Sequence, residues 1–147
     1  VIYGALEAIS RWAGGPVPDE VEISDAPAME LRGPAMSLFS QQSYDQPVTP
    51  ENLPWFYDRD FWTTYLEGLV EQRCNAVYLW SKHPFPYFLR LPSFPEAQEL
   101  PDGVLDRSIQ TLEWITQESH RRGIQLFFVI YNIYVSHAFA RAHRLGT

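Results

Sequence analysis

The sequence predicts the α/β class, with the first three strands and two helices of a (β/α)8 TIM barrel preceded by a helix from an accessory domain. Three short apolar runs, at residues 29–33, 76–80 and 124–131, are separated by amphipathic segments at 61–73 and 104–122. Parallel strands need crossovers of about a dozen or more residues, which are usually helical. Polar and aromatic residues follow each run, where parallel α/β folds bind their ligands.

The first segment of the chain predicts a helix that lies outside the sheet. Ile2, Leu6 and Ile9 fall at helical spacing, and Gly14 with Gly15 ends the run. We therefore expect residues 1–25 to be the end of an accessory α/β domain with its linker. Residues 26–147 are then the N-terminal part of the barrel domain.

The first predicted strand carries an arginine on the face opposite its apolar side chains. Alternation places Arg32 opposite Met29 and Leu31, and Gly33 permits a sharp exit from the strand. The loop that follows, residues 34–57, is long for a compact domain, and loops of this length are usually functional or disordered.

The two crossover helices have recognisable ends. Asp58 and Asp60 are suitable N-cap and first-turn residues for the first helix, and Asp102 is a suitable cap for the second. Asn75 is expected to adopt the left-handed turn into the second strand, and Gly123 to end the second helix.

Composition excludes several classes of function. The chain has 147 residues and a net charge of −7, which argues against nucleic-acid partners, because phosphate contacts need clustered Lys and Arg. No apolar run approaches the roughly 20 residues of a membrane span. The single Cys74 allows no internal disulfide, and we expect a small buried side chain rather than a reactive thiol. A complete barrel needs roughly 250 residues, so we expect an excerpt cut at both ends.

Aromatic residues are 15% of the chain, and many lie in proline-rich loops. Such loops suit a binding cleft in which rings pack on the flat CH faces of sugars. The alternative is that the rings pack onto neighbouring helices. The residues concerned are Tyr44, Trp55, Phe56, Tyr57, Phe85, Tyr87 and Phe88.

Four polar or aromatic residues follow or end the second and third strands. Trp80 suits a stacking platform or a core position, and Lys82 suits a sugar acid or solvent. His83 suits substrate contact, a metal ligand or a local hydrogen bond. Asn132 can both donate and accept to hydroxyls, or cap a turn. No phosphate loop, H-E-x-x-H motif or cysteine pair is present, so the sequence predicts no cofactor and no metal site.

Several segments resemble multidomain glycoside hydrolases of the β-hexosaminidase or α-glucuronidase type. The similar stretches are residues 3–8, 30–33, 73–80 and 120–126. The resemblance implies an accessory domain before a catalytic barrel, and an arginine on strand one that hydrogen-bonds the sugar. The matching residue is Arg32, whose planar fork suits paired hydroxyls or a uronic carboxylate. The alternative for Arg32 is an ion pair in the barrel floor.

The carboxylates needed for glycoside hydrolysis do not form an evident pair at a strand end. Asp58 and Asp60 are interpreted as caps, Glu30 as a strand residue, and Asp45 is the loop carboxylate to examine. The resemblance implies catalytic residues beyond Thr147, so we expect the chain alone to be inactive.

Three functions remain open. The first is the N-terminal portion of a carbohydrate-active enzyme, a glycoside hydrolase acting on an oligo- or polysaccharide substrate. The second is a non-catalytic carbohydrate-binding or scaffold barrel. The third is a barrel lyase or aldolase, because one fold hosts many chemistries. In each case we expect Arg32, Trp80, His83 and Asn132 to cluster at the carboxyl end of the sheet.

Overall fold

The computed structural model describes residues 2–16, 19–20, 22, 26–39, 46–81, 84–130 and 135–145. Within these ranges, no helix is long and apolar enough to cross a membrane. Short 3-10 helices occur at Pro54–Tyr57 and Pro95–Ala97. In chain order the elements are α1 (Ile2–Trp12), β1 (Ala35–Ser37), α2 (Arg59–Glu71), β2 (Ala76–Ser81), α3 (Phe85–Phe88), α4 (Asp102–Arg121), β3 (Gln125–Ile130) and α5 (His137–Ala142).

The three strands form one parallel sheet in the order β1-β2-β3. In its register, Ala35 lies opposite Tyr78 and Tyr78 lies opposite Phe127. The predicted parallel pairing of three strands in chain order is confirmed. The positions of β2, β3, α2 and α4 also agree with the sequence predictions to within two residues at each end.

The predicted partial (β/α)8 barrel is wrong. The described residues form a small three-stranded sheet with five α-helices, of which α3 and α5 were not predicted. The error has a physical reason: an alternation of buried strands and amphipathic helices is required of every parallel α/β sheet. That local pattern therefore does not indicate whether a sheet extends into a barrel.

The position of the first strand also differs from its prediction. Met29 and Leu31 are 65% and 44% exposed, and the strand lies further along, at Ala35–Ser37. Between Leu31 and the start of β1, the backbone at Gly33 passes very close to β2. A Cβ atom on Gly33 would lie 1.6 Å from the carbonyl oxygen of Ala76, so only glycine fits there.

The core lies between one face of the sheet and the helices α2 and α4, which contact each other. Val77 and Leu79 of β2 are fully buried against Trp62 and Leu66 of α2 and other apolar side chains. On the outer strand β3, Val129 and Ile130 remain 38% and 44% exposed.

The long loop after β1 also belongs to this core, because Val48 and Phe56 are fully buried. Packing is therefore the role of most loop aromatics. Phe56, Tyr87 and Phe88 are buried, Trp55 and Tyr57 are half-buried, Phe85 is exposed, and Tyr44 lies outside the described residues.

The helix ends agree with the sequence in part. Asp58 caps α2 and accepts hydrogen bonds from the backbone N–H groups of Asp60 and Phe61, as predicted. Asp102 is the first residue of α4 rather than its cap. The left-handed backbone before β2 belongs to Arg73, with φ of 58°, and not to Asn75.

Replacing Gly33 with alanine tests the close approach to β2. We expect Gly33→Ala to lower the free energy of unfolding by about 3 kcal/mol, because the new methyl group would push β2 away. Gly68→Ala is the matched control, since a Cβ there meets nothing within 4 Å in a helix interior. That control should raise stability by up to about 1 kcal/mol. Urea unfolding measures both, and equal stability of the two variants would contradict the steric argument.

The ion pair between Glu118 and Arg122 makes stability depend on pH. Their side chains are 15% and 14% exposed, and the carboxylate lies 2.6 Å from Arg122 Nη1. This hydrogen bond holds the pKa of Glu118 below its usual range. A lowered carboxyl pKa contributes stability above the unfolded-state pKa, and that contribution is lost as the pH falls through the folded-state value.

We expect Glu118→Gln to cost up to about 1 kcal/mol at about pH 7 and clearly less at about pH 3. Glu113→Gln, at an exposed position of the same helix, removes the same charge and is the control. Unfolding curves at both pH values measure the difference. A pH-independent cost for Glu118→Gln would show that its effect is not electrostatic.

Candidate functional site

Two aromatic rings meet at the carboxyl edge of the sheet. The backbone N–H of Leu38, just after β1, donates to the carbonyl of Trp80 in β2 at 2.8 Å. This bond brings the neighbouring Phe39 ring edge-on to the Trp80 ring, with the centroids 4.9 Å apart and the planes at 80°. Edge-to-face contacts of this kind fix ring orientation. Trp80 is half-buried, so part of its ring is accessible.

A second aromatic pair lies on the sheet face opposite α2 and α4. Tyr78 and Phe127 face each other across β2 and β3, with their rings stacked at 5.0 Å and 17°. Trp80, two residues further along β2, points to the same face. We call Phe39, Tyr78, Trp80 and Phe127 the aromatic face. Beside it on β1 are the exposed small side chains of Ala35 and Ser37.

The structure separates Arg32 from Trp80. Arg32 lies before β1, at the amino edge of the sheet, where its carbonyl accepts from the backbone of Asn75 and Ala76. Its guanidinium donates to the carbonyls of Arg73 and Met29 at 3.0 and 2.6 Å. The predicted cluster of Arg32 with the carboxyl-edge residues is therefore wrong. It failed because β1 begins after Gly33 and not before it.

Three other predicted site residues lie outside the described part of the chain. These are Lys82 and His83, which follow β2, and Asn132, which follows β3; Asp45 is also outside it. Of the predicted site residues that the structure describes, Trp80 alone lies at the carboxyl edge.

Asn75 is a residue that the sequence reasoning assigned to the wrong role. Its side-chain oxygen accepts from the backbone N–H of Arg32, and its amide group donates to the carbonyl of Glu30, both at 2.8 Å. Asn75 thus anchors the chain entering β1 against the start of β2. An amide directly before a buried strand was the available signal, because Asn can donate and accept at once.

The loop between β1 and α2 is fastened to α4. The Tyr57 hydroxyl lies 2.8 Å from the carbonyl of Val48 and 2.7 Å from the Ser108 hydroxyl, and Arg107 packs over the ring. Burial raises the pKa of Tyr57, so it remains a neutral phenol at physiological pH. These contacts hold the end of the loop against α4.

Several carboxylates of the described residues have structural roles or lie away from the carboxyl edge. Asp58 caps α2, Glu67 and Glu118 pair with Arg122, and Glu30 lies at the amino edge. In the described ranges, no aspartate or glutamate lies at the carboxyl end of a strand, and no group of three or more His, Cys, Asp or Glu could hold a metal ion. The described edge offers aromatic contact without an acid–base pair.

Comparison with known proteins relates this unit to part of a larger enzyme. No family model matches the chain, and no curated protein matches it. A solved structure is similar to it, that of a GH138 enzyme targeting pectin rhamnogalacturonan II, with 36% sequence identity and a TM-score of 0.87. The alignment covers 98% of this chain and 18% of that enzyme, so the chain spans about a fifth of its length.

This similarity corrects the resemblance that the sequence motifs indicated. The similar protein is a GH138 enzyme, which agrees with the glycoside-hydrolase part of the sequence interpretation but not with the β-hexosaminidase or α-glucuronidase type. It also covers α1 through α5 together. The division at residue 25 into an accessory segment and a second domain stays a prediction.

Asn75→Asp tests the anchor at the amino edge. The carboxylate could still accept from Arg32, but it cannot donate to the Glu30 carbonyl, and two acceptors would then face each other. We expect a loss of about 1–2 kcal/mol in the free energy of unfolding. Gln110→Glu, an exposed position on α4, makes the same amide-to-carboxylate change as a control. Equal stability of the two variants would show that the anchor contributes nothing.

Proposed function

We propose that the chain works within a glycoside hydrolase that acts on a pectic polysaccharide, and that it contributes sugar contacts rather than the catalytic carboxylates. The observation that carries this proposal is the similarity to an enzyme targeting pectin rhamnogalacturonan II over 98% of the chain. The aromatic face is consistent with it, because flat apolar rings at an accessible edge suit the CH faces of sugars.

Trp80 is the central residue of the proposed site. Its ring is held by Phe39, so little conformational freedom is lost when a ligand packs against it. Tyr78 and Phe127 continue the apolar surface along the sheet. A sugar chain lying over these rings would follow the direction of β2.

Polar contacts at this site are proposed for Lys82, His83 and Asn132. All three follow β2 or β3 in the sequence, and their groups can serve hydroxyls or a sugar carboxylate. The chain as a whole carries a charge of −7 and would repel an acidic polysaccharide. Local cations such as Lys82 would offset this repulsion. Arg32 has no part in the proposal, because its guanidinium binds backbone carbonyls at the opposite edge.

A second candidate is a non-catalytic carbohydrate-binding module. It is favoured by one observation: the described carboxyl edge brings rings together and no pair of carboxylates. Turnover by the protein that contains this chain separates the two candidates. No observation favours the lyase or aldolase interpretation.

Trp80→Ala tests the platform. We expect the affinity for rhamnogalacturonan II oligosaccharides to fall about five-fold, the effect of losing an aromatic contact worth about 1 kcal/mol. Trp80→Phe should retain most of the affinity. Trp12→Ala, on α1, removes the same ring away from the site and is the control. Titration calorimetry measures binding.

Within the enzyme that contains this chain, Trp80→Ala should lower the rate of hydrolysis of the same substrate along with the affinity for it. Unchanged affinity for this variant, or an equal loss for Trp12→Ala, would contradict the platform. Equal binding to a neutral glucan would contradict the pectic substrate.

A further inference from the structure

Two segments that leave the carboxyl edge of the sheet are joined by four side chains. Phe94 and Glu96 lie in the connection between β2 and α4, while Phe139 and His143 lie on α5 and at its end. Helix α5 packs against the 3-10 helix Pro95–Ala97. We call these four side chains the latch.

The rings of the latch interlock. Phe139 and His143, one helical turn apart, stack with their centroids 4.2 Å apart and their planes at 26°. The Phe94 ring meets Phe139 edge-on at 5.6 Å and lies 6.3 Å from His143. These contacts hold the imidazole in one orientation, with its Nε2 hydrogen-bonded to the Glu96 carboxylate.

The strength of the Glu96–His143 contact depends on protonation. An imidazolium facing a carboxylate forms a charge-assisted hydrogen bond, which is stronger than the bond made by neutral imidazole. A bond to its own backbone N–H and the bond from His143 lower the pKa of Glu96, so this carboxylate stays ionised in mild acid. Among the described residues of the two segments, the other charged or titratable groups are Arg90, Glu99, His137, Arg141 and Arg144. Arg90 pairs with Asp102 and Asp106 of α4, and Glu99 accepts from the Tyr87 hydroxyl.

We propose that Glu96 and His143 form a pH-sensitive latch that fastens α5 to the β2–α4 connection in mild acid and loosens it above neutral pH. The latch fixes the chain after β3 relative to the chain after β2. These two segments flank the carboxyl edge, so the consequence for sugar binding rests on the proposed function, whereas the latch itself rests on the contacts of its four side chains. Glu96 and His143 are positioning residues in this scheme.

Hydrogen exchange of α5, followed by mass spectrometry and corrected for intrinsic rates, tests the latch without any sugar. In the wild-type protein we expect protection of α5 to fall about two- to five-fold from about pH 5.5 to about pH 8, the range for an accessible ion pair. Glu96→Gln and His143→Gln should abolish this pH dependence. Glu99→Gln, in the same connection, should retain it.

Protection of α2 in the same samples reports whether each variant is folded. Wild-type protection of α5 that does not vary with pH, or an unchanged pH dependence in Glu96→Gln, would overturn the latch. Because Glu96→Gln alone suffices for this comparison, a misfolded His143→Gln protein does not affect the conclusion.

Sugar affinity then tests the consequence separately. With the latch established, Glu96→Gln should weaken oligosaccharide binding at about pH 5.5 and have no effect at about pH 8. If Glu96→Gln and the wild-type protein bind the oligosaccharide equally well at about pH 5.5 and also at about pH 8, the link between latch and site would be overturned. Loss of the proposed function itself would appear differently, as wild-type protein that binds no pectic oligosaccharide although α5 protection still depends on pH.

Discussion

The close approach of two backbones at Gly33 is the constraint on which the sheet depends. With no side chain there, the chain before β1 can lie against the carbonyl of Ala76. Asn75 then holds the same segment by hydrogen bonds to Glu30 and Arg32, so the register of β1 on β2 is fixed before the strand begins. That register places Ser37 opposite Trp80, and the next residues bring Phe39 to the Trp80 ring. An amino-edge contact thus determines which rings meet at the carboxyl edge.

The two faces of the sheet have different roles because β2 alternates. Val77 and Leu79 point into the helical layer and are fully buried. Tyr78 and Trp80 point away from it and remain half-buried. The helical layer is reinforced by the loop after β1, whose Phe56 is as buried as any core residue. A rigid layer on one side and accessible rings on the other is the arrangement that a binding surface requires, since the rings are oriented before a ligand arrives.

The sequence predicted the elements whose signals are local. An apolar run and a capped amphipathic stretch identified β2 and α2, and Asp58 was recognised as a cap from its position alone. The predicted position of β1 is wrong because the strand is only three residues long. In addition, the steric role of Gly33 becomes visible only when β2 lies beside it. For the same reason, the sequence placed Arg32 at the carboxyl edge of the sheet, whereas it lies at the amino edge. The barrel prediction and the packing of Phe56 both concern contacts between distant segments, which periodicity does not encode.

The exposed apolar side chains of Val129 and Ile130 on the outer strand bear on how such a polypeptide behaves in solution. β3 pairs with β2 along one side, and its other side carries a second row of backbone amide and carbonyl groups. A strand edge without charged side chains attracts other extended chains. The run Gln125–Ile130 contains no ionised side chain that would discourage such pairing. A lysine introduced at position 129 would place a charge on this strand, and we expect it to keep the isolated unit dispersed at high concentration.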